Sequence, residues 1–122
     1  MRIFKNIWFR RFARRERIAD KTLRDTIARA EKGMIDADLG GNVIKQRIAR
    51  PGQGKSGGYR TIVVFRKGDR AFFVYGYAKS ELDNIDQEET DAFKRAAREL
   101  LALSDEQLRA LIENGAITEV QP

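Results

Sequence analysis

The sequence predicts an α+β domain: a small antiparallel β-sheet, two N-terminal helices packed on one of its faces, and additional C-terminal helices. Three observations carry this. Apolar residues recur at helical spacing near the start of the chain, two runs of β-branched and aromatic residues flank a short turn sequence in its middle, and two helix-capping signatures follow. The 122 residues suffice for one core and are too few for two. All of 1–122 therefore reads as a single domain, with a body over about 1–85 and a helical extension over about 86–115.

Taken in order, Met1 to Phe4 is short and apolar and reads as an edge strand. Trp8, Phe9, Phe12, Ile18 and Ala19 recur among Arg10, Arg11, Arg14, Arg15 and Arg17, the pattern of a short amphipathic helix. Asp20 is placed to cap a second helix, with Leu23, Ile27 and Ala30 as its apolar stripe and Gly33 near its end. Leu39-Gly40-Gly41-Asn42 interrupts the helical period, and Val43–Arg50 then alternates like a strand. Pro51 to Gly58, with four glycines in eight residues, reads as a loop. Tyr59–Arg66 and Ala71–Ser80 surround Lys67-Gly68-Asp69-Arg70 as the two arms of a hairpin. Asp86 caps a helix through Leu101, and Ser104 with Gln107 forms a capping box for a last helix ending near Gly115.

The composition narrows the chemistry. Cysteine and histidine are both absent, which removes disulfides, thiolate nucleophiles, the commonest general base and most zinc sites. No apolar run approaches the ~20 residues of a membrane span, and the N-terminus lacks the apolar segment of a signal peptide, so a cytoplasmic protein is expected. Residues 1–79 hold 20 Lys+Arg against 7 Asp+Glu, whereas residues 80–122 hold 4 against 11. A basic body with an acidic tail points to a polyanionic partner for the body; the plain alternative is a set of solvated, Arg-rich helix faces.

Strand parity groups the cations. A hairpin loop of two residues (Gly68-Asp69) or four (Lys67–Arg70) pairs residues whose numbers sum to 137, setting Val63 opposite Val74 and Phe65 opposite Phe72. With Ile44 and Ile48 these form an apolar face for the first two helices to cover. The other face then carries Arg60, Ile62 and Val64 beside Phe73, Tyr75, Tyr77 and Lys79, with Lys45 and Arg47 from the preceding strand. A three-residue loop would scatter this set. A surface both cationic and aromatic suits single-stranded RNA, because cations neutralise phosphates and each tyrosine can stack a base for ~1–3 kcal/mol. The bland reading leaves Tyr75 and Tyr77 half-buried under the C-terminal helix with the cations at its rim.

Such a face can cleave RNA without metal or histidine. A lysine crowded by cations loses part of its pKa and can move protons, worth ~10²–10⁴ in rate, while arginine clamps phosphate oxygens. Other signals are weaker. Gly54-Lys55-Ser56 lacks the glycine a phosphate loop needs, since position 50 is Arg, and it leads into a strand. Asp83, Asp86, Glu88, Glu89 and Asp91 lack metal-loop spacing and suit helix capping. Neither a metal nor a cofactor is called for.

Gly57-Gly58-Tyr59-Arg60-Thr61-Ile62-Val63-Val64-Phe65, followed by Phe73-Val74-Tyr75-Gly76-Tyr77-Ala78-Lys79-Ser80-Glu81, resembles the RelE/ParE superfamily of type II toxins, most closely its RelE-like, HigB-type branch. Lys45-Gln46-Arg47 and Asp83-Asn84-Ile85 support the resemblance, which runs from about Arg2 to Leu101. It implies the small antiparallel sheet with two N-terminal helices already read. It also implies an endoribonuclease that enters the ribosomal A site and cuts mRNA, neutralised by a cognate antitoxin, often of helix-turn-helix type. By the same resemblance, Arg60 would stabilise the transition-state phosphate and Lys45 and Arg47 would contact the scissile region. Lys79 would serve as acid or phosphate contact, Tyr75 or Tyr77 would stack on a base, and Arg50 and Lys55 are grouped with them as RNA-binding.

The chain departs from relatives at Leu82, where a basic residue is common after Ser-Glu, and in having no histidine or acid beside the tyrosines. Its acidic segment 80–122 exceeds the minimal fold and either lies over the basic face, contacts the antitoxin, or forms a stabilising helix pair. Two other functions stay open: a ParE-like inhibitor of DNA gyrase, and a non-catalytic basic nucleic-acid-binding module.

Overall fold

β1 (Arg2–Asn6) runs directly into α1 (Ile7–Arg15), and the side chain of Asn6 makes the junction. Its Oδ1 accepts from Phe9 N at 2.7 Å, capping the helix, while its Nδ2 donates to Val74 O at 3.0 Å. Arg17 at φ 57 turns the chain into α2 (Asp20–Glu31). Then come β2 (Ala37–Gly40), β3 (Val43–Arg50), β4 (Gly54–Arg66), β5 (Arg70–Ala78), α3 (Gln87–Leu101), α4 (Asp105–Glu113) and β6 (Ile117–Glu119). This computed structural model describes residues 1–50, 54–79 and 85–122, without the side chains of Arg50 and residues 54–57.

The described strands form one mixed sheet in the order β2-β3-β4-β5-β1-β6, which corrects the expected small antiparallel one. β1 lies parallel to β5, which the long connection between them permits, and it is interior rather than at an edge. β6 covers its other side in antiparallel register, Phe4 opposite Glu119, and Arg2 holds Glu119 through two contacts of 2.9 Å. Neither β6 nor β2 was expected, because three- and four-residue strands carry too few alternations to show a period.

Asp20 does not cap α2. Ala19 is the N-cap, and the Asp20 carboxylate instead accepts from Lys5 Nζ at 2.8 Å and Gln121 N at 3.0 Å, tying β1, α2 and the C-terminus together. The Gly-rich run is loop only in part: β4 already begins at Gly54, opposite Arg50. By contrast, the N-caps of both C-terminal helices are capping boxes, Asp86 with Glu89 and Ser104 with Gln107.

The hairpin between β4 and β5 departs from both expected loop lengths. Arg66 pairs with Arg70, leaving the three residues Lys67-Gly68-Asp69 to turn, with Gly68 at φ 75. One further shift follows: Val63 pairs with Phe73 but Ile62 with Tyr75, so Val74 is the extra residue of a bulge. Near the turn the parity is therefore reversed, and Phe73 rather than Val74 or Phe72 shares the face of Val63 and Phe65. Beyond the bulge it is restored. Arg60 lies opposite Tyr77 as expected.

Each face of the sheet carries a core. α1 and α2 bury Phe9, Phe12, Leu23 and Ile27 against Ile44, Ile48, Val63, Phe65 and Phe73. α3 and α4 bury Ala97 and Leu108 against Phe4, Ile62, Val64, Phe72, Val74 and Tyr77, with Phe93 and Leu100 partly buried beside them. At ~25 cal/mol per Å² of apolar surface, both layers contribute to the stability of the fold. The acidic segment thus packs on the sheet, and Arg66 and Arg70 from the hairpin donate to Leu101 O and Leu103 O at its helix ends, at 3.1 and 2.8 Å.

Candidate functional site

β3, β4 and β5 set the candidate residues in two transverse rows. Lys45, Ile62 and Tyr75 lie opposite one another in the first, and Arg47, Arg60 and Tyr77 in the second. The rows are two residues apart on every strand, so all six point to the same face. The bulge at Val74 is what brings Tyr75 and Tyr77 into these rows after a three-residue turn.

Arg60 is half-buried, and its Nη1 is enclosed with no hydrogen-bond partner among the described residues; the same holds for the Tyr77 hydroxyl. Unpaired buried donors are unusual and costly, and a role in function is one reason a fold retains them. The Arg60 charge reaches both neighbours. Burial lowers the pKa of Lys45 from the ordinary lysine range, and the adjacent Arg60 cation lowers it further. Burial raises the Tyr77 phenol, Arg60 opposes that, and Tyr75 and Glu89 add to it. A lysine shifted this way gives up its proton more readily than a solvated one, whereas Arg60 stays charged.

Arg47 is held differently. Its Nε and Nη2 each lie 3.3 Å from Asp36 Oδ1, and its backbone N donates to Asp36 Oδ2 at 2.7 Å. Arg29 in turn donates to Arg47 O at 2.6 Å. Asp36 is fixed because its own N donates to the Oε1 of Gln46, a wholly buried side chain. Nothing local in the sequence marks Asp36 as this anchor, since an edge-strand pairing brings it alongside β3.

Lys79 follows β5 as an exposed turn residue whose N donates to Gly58 O at 3.2 Å. The side chains of Arg50 and Lys55, and the position of Leu82, lie outside the described residues.

The tyrosines follow the second of the two readings, lying under the C-terminal helix and not forming an open surface. Tyr77 is 4% exposed, and Tyr75 packs against Phe93 of α3 with ring centroids 5.8 Å apart. The face is therefore covered along its aromatic side, and Tyr77 presents no ring to solvent. The spacing of Phe93, Ala97, Leu100 and Leu101 is the apolar stripe that makes this contact, a signal the sequence did contain. Trp8 was also missed: it lies 4.4 Å from the Tyr75 ring and 5.4 Å from that of Phe12. Among the described residues no group of three or more acidic, His or Cys side chains is arranged to hold a metal, and no helix is long and apolar enough to cross a membrane.

Residues 1–120 match the family model described as the RelE toxin of the RelE / RelB toxin-antitoxin system. No curated protein matches the chain.

Proposed function

We propose that this chain, which belongs to the RelE toxin family and so is the toxin of a toxin–antitoxin system, is a ribosome-dependent mRNA endoribonuclease of the HigB-type branch. RelE-family toxins are generally translation-inhibiting mRNA interferases; the ribosome requirement, the branch and the chemistry are our reading. The observation that carries it is the pair of buried, unpartnered donors, Arg60 Nη1 and the Tyr77 hydroxyl, beside a lysine of lowered pKa. The half-buried Arg60 guanidinium is the group that meets a phosphate oxygen and stabilises the negative charge as it grows, while the enclosed Tyr77 hydroxyl lies behind it.

In this reading Lys45 accepts the proton of the ribose 2′-OH. The 2′-oxygen forms a bond to phosphorus and the bond to the 5′-oxygen breaks, leaving a 2′,3′-cyclic phosphate. Lys79 protonates the departing 5′-oxygen. Arg47, with Asp36 and Arg29, braces β3 and contributes positive potential at the scissile region. A base other than histidine gives a slow intrinsic site, so alignment of the codon by the ribosome supplies the missing positioning. The toxin acts in the cytoplasm without metal or cofactor and is neutralised by a helix-turn-helix antitoxin.

The test is cleavage of a defined mRNA, mapped by primer extension with and without programmed ribosomes, in normal form and with a 2′-deoxy nucleotide at the cut. Cuts that need the ribosome and vanish with the 2′-deoxy substitution are expected. Cleavage that survives the 2′-deoxy change would refute the mechanism, and loss of DNA supercoiling activity without any cut would establish gyrase inhibition instead.

A further inference from the structure

Trp8 is the only tryptophan of the chain, and it sits on α1 with 41% of its surface exposed while Phe4, Phe9 and Tyr77 are buried. Its inner side is fixed. The indole lies 5.4 Å from Phe12 at an interplanar angle of 18°, and 4.4 Å from Tyr75 at 35°. Tyr75 continues the row to Tyr77, 6.1 Å away, and Arg15 closes the other end with its guanidinium carbon 5.6 Å from the Phe12 ring centre. The aromatic row thus starts beside the proposed cutting residues and reaches solvent at Trp8.

Arg11 and Arg15 share this face of α1 with Trp8, and Arg14 lies beside Arg11 further round the helix. Arg11 lies three residues beyond Trp8, with Arg14 and Arg15 one further turn along, so they adjoin one another on the surface. All three are exposed, and Arg11 and Arg14 have no ion-pair partner among the described residues. Among the described residues, Arg15 pairs with Glu16 at 3.2 Å. A flat aromatic ring packed from behind and flanked by Arg11 and Arg14, which have no ion-pair partner among the described residues, has the chemistry that binds an unpaired base together with its phosphates.

We infer that Trp8, with Arg11, Arg14 and Arg15, is a docking platform for single-stranded RNA: a base stacks on the indole and the arginines take neighbouring phosphates. This rests on the reading of the Lys45–Arg60–Tyr77 face as an RNA-cutting site, because it is the continuity through Tyr75 that makes the occupant the strand to be cut. The carboxylates of an acidic protein segment would meet the same charges, but by themselves they bring no ring to stack on the indole.

The lone tryptophan is its own reporter. The full-length protein is titrated at low salt with an unlabelled ten-nucleotide single-stranded RNA and, separately, with a poly-glutamate peptide, following indole emission. Fluorescence anisotropy of labelled RNA is read in parallel for the wild type, Trp8→Phe, Trp8→Ala and a combined Arg11→Gln/Arg14→Gln variant. Stacking predicts quenching by RNA and none by poly-glutamate. It also predicts a loss of roughly 5- to 150-fold in RNA affinity for Trp8→Ala, recovered largely by Trp8→Phe, which keeps a ring and the packing on Phe12. The arginine variant should lower the salt slope by about 1.4 for two lost phosphate contacts. RNA that binds without quenching, or with unchanged affinity in Trp8→Ala, overturns the platform, as does quenching by poly-glutamate alone. Cleavage on programmed ribosomes, measured on the same samples, separates the two readings. Cutting by wild type at a rate unchanged in Trp8→Ala overturns the platform alone, whereas quenching without any cutting supports the platform and removes the nuclease.

Discussion

Arg60 and Tyr77 face each other across the β4–β5 ladder, and each buries a polar atom that has no hydrogen-bond partner among the described residues. A fold assembled for stability alone would pair or exclude both groups. Their juxtaposition beside Lys45 is the arrangement expected where a polyanion is received, and it fixes what each substitution should do.

Arg60→Ala should abolish growth arrest and mRNA cleavage while leaving the fold intact. Removing a half-buried guanidinium with an unsatisfied nitrogen does not expose a buried partner, so the thermal midpoint should stay within a few degrees of wild type. Scanning calorimetry and a cell-growth assay read the two effects separately; a folded Arg60→Ala protein that still arrests growth would remove Arg60 from the chemistry.

The tyrosine hydroxyl makes a complementary prediction. Tyr77→Phe deletes a buried, unpaired oxygen and should be neutral or stabilising by up to about 1 kcal/mol, since it relieves desolvation without opening a cavity. Tyr77→Ala should cost about 3–5 kcal/mol, as loss of a large buried ring does. Urea titrations of the two variants check this, and equal losses would mean that the hydroxyl is paired in solution.

With Lys45 as the base, cleavage requires its deprotonated form. Burial and the Arg60 charge place its pKa below the usual lysine value of about 10.4, so the single-turnover rate should rise with pH from neutrality toward that lowered pKa. Lys45→Ala should flatten that rise as well as slow the reaction by ~10²–10⁴. A wild-type profile without an ascending limb would transfer the role to another group.

Gly76 matters through close approach rather than backbone freedom. A Cβ there would lie 2.6 Å from Phe12 Cε2, so the α1 ring rests directly on β5 between the two tyrosines. Gly76→Ala should cost about 1–3 kcal/mol by overpacking and should shift the Trp8 emission, because Phe12 also stacks on Trp8. Chemical denaturation and indole fluorescence test both consequences.

Acid should loosen the junction of β1, α2 and the C-terminus. Burial raises the Asp20 carboxyl, but hydrogen bonds from Lys5 and Gln121 N and the charges of Lys5 and Arg24 outweigh it, so its folded pKa lies below the ordinary value. The stabilisation is full above the unfolded carboxylate pKa of about 3.9 and disappears as pH falls through the lower folded value. Asp20→Asn should therefore cost about 1 kcal/mol at pH 7 and progressively less as pH falls below about 3.9, followed by urea titrations over that acid range. A pH-independent loss would assign the effect to packing.

Much of this arrangement was legible because it rests on local signals. Asp86 and Ser104 announce α3 and α4 through capping boxes, and Tyr59–Phe65 and Phe72–Tyr77 announce the hairpin through composition. The pairing of Arg60 with Tyr77 was also readable, although a loop of unexpected length and a bulge at Val74 had to compensate for it to hold. What the sequence hid depends on distant segments. β1 gains its interior place only when β6 returns from residues 117–119, and Arg47 finds Asp36 across a strand edge. Burial of Tyr77 under α3 is likewise a tertiary choice, made by Phe93 and its neighbours over a face that strand alternation alone leaves open.

The most direct measurement is single-turnover cleavage of a defined mRNA on programmed ribosomes by wild type, Arg60→Ala and Arg60→Lys, with folding of each verified by circular dichroism. The account predicts ribosome-dependent cuts whose rate falls at least ~10²-fold in Arg60→Ala and is only partly recovered by lysine, which supplies charge without the planar fork. Equal rates in the wild type and a folded Arg60→Ala protein would contradict it.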